Sequence, residues 1–414
     1  MTTKNNIPVG YKDSAVGIIP QEWEVTTLGK LVSITSGESP SLYNLQSSGK
    51  YPYVKVEDMN NCEKYQIFSR EYSDDEKGAI PKRSIIFPKR GAAIINNKVR
   101  ITDCALYMDS NMMAITPNEY VCGDYLYFKI TFEKLYKIAD TSTIPQINNK
   151  HIIPYKLAVP PMEEQRKIAE ILSVWDKAIE KQSRLIEKLE LRKRGLMQHL
   201  LIGRTRLPGF TTPWQKVKLG EIGKISSAGV DKKVNEGEVP VRLLNFVDVF
   251  YRDFIYNDEL THWVTAKTIK VEQCSVQKGD IFFTPSSEMP TDIAISAVAM
   301  EDMKGVVYSY HIVRLRPHIE MDLHYRAYAF KTDEFYKQAE RICDGSGQRY
   351  VISQDGFRNM SIHLPSLTEQ KAIAEVLTTA DKEIATHRKK LDALRLQKRG
   401  LMQQLLTGKT RVKI

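Results

Sequence analysis

No run of apolar residues in this 414-residue chain approaches the roughly 18 that a membrane span requires, although 42% of its residues are hydrophobic. The opening "MTTKNNIPVGYKDSAVG" lacks the apolar core of a secretory leader, so a cytoplasmic location without a membrane partner is expected. Cysteine is sparse: Cys62, Cys104, Cys122, Cys274 and Cys343 are odd in number and form no Cys-x-x-Cys pair. That argues against a disulfide frame and a structural zinc, and for a reducing compartment.

Catalytic signatures are missing as well. "GKT" at 408–410 has Gln403 where a phosphate-binding loop needs its first glycine, and a helix where the strand should precede it. "DGSGQ" at 344–348 lacks the third glycine of a dinucleotide fingerprint and reads as a turn. "PTDIAISAVAMEDMK" at 290–304 holds Glu-x-x-Lys, the wrong spacing for the nuclease motif it otherwise suggests. The only Pro-Pro is in "VPPM", which is no adenine methyltransferase motif, and the eight histidines are scattered singly. Together these absences point to a protein that binds and positions, with no metal, cofactor or catalytic residue of its own.

What is present is a duplication. "VPPMEEQRKIAEIL" (159–172) returns as "LPSLTEQKAIAEVL" (364–377), and the register holds at a constant offset through "KRGLMQ" at 193–198 and 398–403 to Thr205-Arg206 and Thr410-Arg411. About half of the 48 aligned positions are identical. Upstream, "WEVTTLG" (23–29) answers "WQKVKLG" (214–220) at a shorter offset, so the segment between the two matches is longer in the second half. A variable segment of roughly 140 to 150 residues followed by a constant one of roughly 48 is thus repeated twice.

Charge follows the same partition. Net charge is +10, but residues 161–207 carry 11 basic and 7 acidic side chains and residues 365–414 carry 11 and 5, so the variable segments sum to zero. Locally, "PKRSIIFPKRGAAIINNKVRIT" (81–102) holds Lys82, Arg83, Lys89, Arg90, Lys98 and Arg100 with no acid.

In the constant segments apolar residues recur in steps of four and three: Ile168, Leu172, Trp175, Ile179, Ile186, Leu189, Leu196, Leu200, and in the second copy Ile373, Leu377, Ala380, Ile384, Leu391, Leu394, Leu401, Leu405. A period of 3.5 is that of a coiled coil. Polar residues interrupt both seams at matching places, Gln182 and His387, Lys193 and Lys398. Matching interruptions suggest that the helices pair with each other. Pro160-Pro161 and Pro365 mark the starts, Gly203 and Gly408 the ends. About 38 residues give a rod of roughly 57 Å; two such rods paired antiparallel would carry the variable domains at opposite ends.

The variable segments read as strand-rich. "YPYVKVEDM" (51–59), "RSIIFP" (83–88), "VPVRLLNFVDV" (239–249) and "GDIFFTP" (279–285) are β-branched and aromatic, whereas 123–139 and 324–342 read as helices at equivalent places. The expected fold is α+β: two structurally similar mixed α/β domains alternating with two long helices paired as an antiparallel coiled coil, a pseudo-twofold internal repeat.

The two Glu-Gln-led helix starts, the paired "KRGLMQ" segments and the N-terminal "GYKDSAVGIIPQEWEVTTLGKL" together resemble the specificity subunits of type I restriction-modification enzymes, over essentially the whole chain. The resemblance implies an N-terminal segment (1–20), target recognition domains at 21–158 and 209–363, and spacer helices at 159–208 and 364–414. It implies double-stranded DNA as ligand, each domain reading half of a bipartite site. It implies two methyltransferase subunits and restriction (translocase-nuclease) subunits as partners, with S-adenosylmethionine, ATP and Mg used there and none in this chain. The family pattern puts sequence-reading loops after the first strand and around "FPKRGAA" and "FTPSSEM". The residues so picked out are Ser36, Glu38, Ser39, Lys89, Arg90, Asn97 and Lys98 in the first domain. In the second they are Lys232, Lys233, Arg242, Asn245, Ser286, Ser287, Gln348, Arg349 and Tyr350. Lysine and arginine there would anchor phosphates or read guanine edges, and asparagine and serine would pair with bases. The basic helix ends, Arg192 to Arg194 and Lys398-Arg399, are candidates for phosphate contacts or partner docking. A coiled-coil scaffold with protein-binding end domains is the rival reading.

Overall fold

The computed structural model describes residues 7–76, 78–142 and 144–413. The chain forms two compact units: Met1–Ser183 with Lys390–Ile414, and Arg184–Lys389. Each unit therefore holds one variable domain and part of both long helices, Met162–Leu200 and Leu367–Leu405. The helices contribute in this way because their ends pack into the domain cores. Ile168, Ala169 and Leu172 lie with Met402, Leu405 and Leu406 in the core of the first unit. In the second, Met197, Leu200 and Leu201 meet Ile373, Ala374 and Leu377.

In both units the variable domain has one topology. The first contains a five-stranded sheet in the order Val32–Ser36, Met112–Pro117, Ile85–Pro88, Arg100–Thr102, Tyr65–Gln66. The second repeats it with Gly223–Ser226, Val313–Pro317, Ile281–Phe283, Ser296–Ala299, Phe254–Ile255. Strand senses match too: the pairs are antiparallel except the last, which is parallel in both. A smaller sheet, centred on Tyr51–Val54 in one unit and Val239–Leu244 in the other, places a parallel strand on one side and an antiparallel strand on the other in both. Residues of the central strands are buried on both faces, which explains their continuous apolar runs, "IIF" and "IFF".

Three expectations are corrected. The stretch 123–139 is two helices, Gly123–Glu133 and Leu135–Ile138, broken where Lys134 takes φ 69°. Likewise 324–342 breaks into Leu323–Tyr328 and Asp333–Ile342, because Thr332 caps the latter by accepting the Phe335 amide at 3.1 Å. The run 239–249 is a strand only to Leu244; Asp248 then accepts the Asn245 amide at 2.8 Å and opens the helix Phe246–Phe250.

The repeated motif has a structural explanation residue by residue. Glu164, at the start of the first helix, is fully buried and accepts bonds from the Trp23 indole (3.0 Å) and from two nitrogens of Arg411 (2.7 and 2.9 Å). Glu369 does the same with Trp214 (2.9 Å) and Arg206 (2.6 and 2.7 Å). The glutamine that follows ties the helix start to its own domain. Gln165 accepts the Cys122 amide and donates to the Pro160 carbonyl, and Gln370 bonds the Asp322 amide and the Pro365 carbonyl. Gly203 and Gly408 end the helices in the left-handed region, φ 68° and 72°, which turns the chain so that Arg206 and Arg411 reach back.

The seam lysines also find carboxylates. Lys193 pairs with Asp381 in the second unit, and Lys398 with Asp176 in the first. As the residue number rises on one helix it falls on the other, in Glu164 to Arg411 and Asp176 to Lys398 as in Arg206 to Glu369 and Lys193 to Asp381. Within each unit the helical segments are therefore antiparallel.

Removing Arg206 strands a carboxylate that is 1% exposed. Arg206→Met is expected to lower stability by about 3 kcal/mol in denaturant titration, and Arg206→Met with Glu369→Leu to recover most of that loss.

Candidate nucleic-acid interface

At one end of each five-stranded sheet four loops meet, and several main-chain bonds among them recur in both units. The first follows the edge strand and bends at Gly37 in one unit and Gly229 in the other. A Cβ at Gly37 would overlap the Asp109 carbonyl, and one at Gly229 the Ser309-Tyr310 peptide, so the chains there lie in van der Waals contact. Just beyond, Glu38 bridges Asp109 and donates its amide to Met108, as Val230 bridges Ser309 and donates to Tyr308. The second loop is the turn just named, which leads into the strands Met112–Pro117 and Val313–Pro317. The third leaves the central strand, Lys89-Arg90-Gly91 in one unit and Pro285-Ser286-Ser287 in the other. The fourth is the loop closed by the Asp140–Gln146 bridge in one unit and the hairpin 344–351 in the other. It docks through Ile147 N–H on Lys89 O and Ile352 N–H on Pro285 O.

In the first unit this end gathers Ser36, Glu38, Ser39, Lys89 and Arg90. Glu38 accepts from the Tyr43 hydroxyl at 2.8 Å, and its carbonyl accepts from Tyr53. Burial, that bond and the Glu38 charge push the Tyr43 phenol well above its ordinary range, so it remains a hydrogen-bond donor. Tyr43 in turn packs on Tyr107 and Tyr53, ring centroids 4.5 and 5.4 Å away. Ser39 caps the short helical turn Pro40–Leu42. Burial and neighbouring Arg90 hold the Lys89 ammonium below its ordinary pKa. A phosphate oxygen nearby would relieve both effects.

The second unit gathers Lys232, Ser286, Ser287, Gln348, Arg349 and Tyr350. Arg349 donates to the Ser286 hydroxyl at 2.9 Å, and Ser287 pairs with Tyr350 in the ladder. Two residues that the sequence did not single out stand among them, Tyr310 and His311, with ring centroids 3.9 Å apart. Burial, Lys232 and Arg349 lower the His311 pKa, with Asp231 acting in the opposite sense. The signal for this turn was a shared strand ending, "AITP" at 114–117 and "RLRP" at 314–317, which aligns Asn111 with His311.

Other picks lie apart from this end or are engaged within the fold. Asn97, at φ 53°, donates to Thr131 O and accepts the Leu135 amide, fixing the break between two helices. Its counterpart is Ala294, also left-handed at φ 62°. Lys98 is half-buried on the same turn and has no ion pair among the described residues. Arg242 donates twice to Asn257 and covers the Trp263 ring. Asn245 is buried and bonds Leu243 O and His262. Lys233 pairs with Asp231.

The acid-free stretch 81–102 divides in the same way: Lys82 and Arg83 pair with Asp103 and Asp124, and Arg100 binds three carbonyls. Only Lys89, Arg90 and Lys98 lack such partners among the described residues. Of the basic helix ends, Arg192 pairs with Glu383, and both seam lysines are paired as above. Arg194 and Arg399, one repeat apart, are exposed and have no ion pair among the described residues.

Among the described residues no helix is long and apolar enough to cross a membrane, and no His, Cys, Asp or Glu cluster has the makings of a metal site.

A duplicated domain is also what comparison with known proteins finds. The family model described as the type I restriction modification DNA specificity domain matches residues 20–191 and again residues 211–396. The chain belongs to that family and carries two copies of its domain. Its role is accordingly that of a specificity subunit, which gives a type I restriction-modification complex its DNA sequence preference. The type I restriction enzyme MjaVIII specificity subunit of Methanocaldococcus jannaschii is 25% identical to it over 413 residues, spanning 95% of this chain and 94% of that one. The putative MjaX specificity subunit of the same organism is also 25% identical, with 97% of each chain covered. Two solved structures share the fold. The type I restriction-modification S subunit from M. genitalium superposes with a TM-score of 0.52 at 15% identity over 100% of this chain and 99% of that one. A chain solved in work on complex assembly and conformational transition of the type I R-M system gives 0.63 at 16% identity over 95% and 99%.

The internal bonds of Asn97 set it apart from the loop residues. Asn97→Ala is expected to cost about 2 kcal/mol in denaturant titration and to leave the DNA affinity of the folded protein unchanged. Gly229→Ala must displace a neighbouring peptide and is expected to cost about 1–3 kcal/mol, with loss of sequence preference in a DNA-binding assay.

Proposed function

We propose that each recognition domain reads one half of an asymmetric, bipartite duplex site, and that the long helices set the gap between the halves. The observation that carries this is the pair of loop clusters: one main-chain frame, two sets of side chains. Glu38, Ser39, Lys89 and Arg90 occupy in one unit the places that Val230, Asp231, Pro285 and Ser286 occupy in the other. Unlike donors and acceptors at matched positions select unlike bases. Arginine and lysine at Lys89, Arg90, Lys232 and Arg349 supply the phosphate contacts that fix register.

The helices also dock two methyltransferase subunits in this proposal, through outward residues such as Arg194 and Arg399, and restriction subunits join the complex to translocate and cleave. S-adenosylmethionine, ATP and Mg belong to those partners, and this chain performs no reaction by itself. The complex works in the cytoplasm, where its DNA is.

The test is methylation-state sequencing of a host genome expressing this chain with its methyltransferase partner. Methyl-adenine is expected at a single gapped, asymmetric motif and is expected to vanish when this chain is deleted. An unchanged methylation pattern after deletion would overturn the proposal and favour a protein-binding scaffold.

A further inference from the structure

The loop clusters of the two units differ most at the turn before the last sheet strand. In the first unit this turn is closed on itself. Asn111 donates its main-chain and side-chain N–H groups to Asp109 Oδ1, both at 2.8 Å, and its carbonyl accepts the Lys89 amide. In the second unit Ser309 Oγ accepts only the His311 amide, at 3.3 Å, and Pro285 stands where Lys89 does and has no amide to give. The side chains of Tyr310 and His311 are thereby freed from holding the turn. Tyr310 is 49% exposed, and the His311 ring nitrogens have no hydrogen-bond partner among the described residues. The charges that act on His311 are those of Lys232 and Asp231 from the glycine bend and Arg349 from the hairpin, and the Tyr310 amide donates to Val230 O at 3.2 Å beside that bend.

We propose that His311, packed against Tyr310 on the turn that bonds the Val230–Lys232 bend, is a DNA-contacting residue of the second recognition domain that binds a proton as it meets the duplex. The inference rests on the reading that this sheet end binds DNA. The physical argument is one of charge. In the free protein two cations and partial burial disfavour imidazolium, so the ring is neutral near pH 7. A phosphate brought among Lys232, Arg349 and His311 cancels that repulsion and offers an acceptor, which favours the charged ring. Because the pKa is lowered in the free protein and raised in the complex, the extra affinity is fully present below the free-protein pKa. It disappears as pH rises through the pKa of the complex. The first unit has Asn111 at this place, so its half of the site carries no such dependence.

The experiment uses the full chain assembled with its methyltransferase partner and a labelled duplex carrying the methylated motif. Anisotropy titrations run from about pH 5 to pH 8, so as to pass below the lowered pKa of the free protein, at fixed ionic strength. The wild-type Kd is expected to fall about tenfold toward low pH, the change that follows when binding raises the pKa of one group by about one, whereas His311→Gln varies by less than about twofold. Lys232→Gln removes one repelling cation from an exposed position and is expected to move the wild-type midpoint upward; it carries the test if His311→Gln fails to fold. Equal pH slopes for wild type and His311→Gln, or an unmoved midpoint in Lys232→Gln, would overturn the inference while leaving sequence-specific binding intact. Absence of any preference for the motif at every pH would instead overturn the DNA reading on which it rests.

Discussion

A buried glutamate held by an indole and a guanidinium fixes the frame in both units. Glu164 joins three stretches that are remote in sequence: the lead-in to the first domain strand at Trp23, the start of one long helix, and the tail of the other at Arg411. Glu369 joins Trp214, its own helix start and Arg206 in the same way. A carboxylate taken out of water demands both partners, since losing either leaves charge uncompensated. This demand accounts for the pattern in the sequence. The glutamate, the arginine behind the helix-ending glycine and the tryptophan all recur, whereas the segment between tryptophan and helix is free to differ in length and in side chains.

A second layer of charge docks each domain on its helices by unlike means. In the first unit Lys64 lies between Asp124 and Asp176, 3.1 and 3.9 Å away, and Lys398 completes the group. In the second Asp253 accepts both Lys193 and Lys331, and Tyr328 donates to Asp381 at 2.6 Å. Burial works to raise the Asp253 carboxyl, but the two lysines outweigh it and hold it below its ordinary value. The constant lysine on the helix is thus satisfied in both units although the domain offers a cation in one and an anion in the other. An aromatic ring lies under each lysine, Phe128 at 5.2 Å and Tyr328 at 5.5 Å.

Much of this was legible in the chain itself. The duplication, the helix limits set by proline and glycine, and the 3.5-residue seam are local or periodic signals. What escaped was whatever depends on a partner remote in sequence. Lys134 and Thr332 break expected helices through backbone conformation and a cap. Asn97, Arg242 and Asn245 have the chemistry of DNA contacts, but Thr131, Leu135, Asn257 and His262 occupy them. Tyr310 and His311 show the converse: nothing in their immediate sequence marks a turn that meets the bend at Val230. The type of a residue indicates what it is able to bind, and only the fold shows whether that capacity is already used.

The close approach at Gly37 and Gly229 has a thermodynamic consequence. Where a loop's backbone is wedged against a neighbouring peptide, little conformational freedom remains to be lost on meeting a ligand. Side chains borne on such a backbone act as replaceable elements on a fixed mount. A substitution then alters one local interaction free energy without redistributing an ensemble. Discrimination between sequences becomes close to a sum over positions, each adjustable without disturbing the rest.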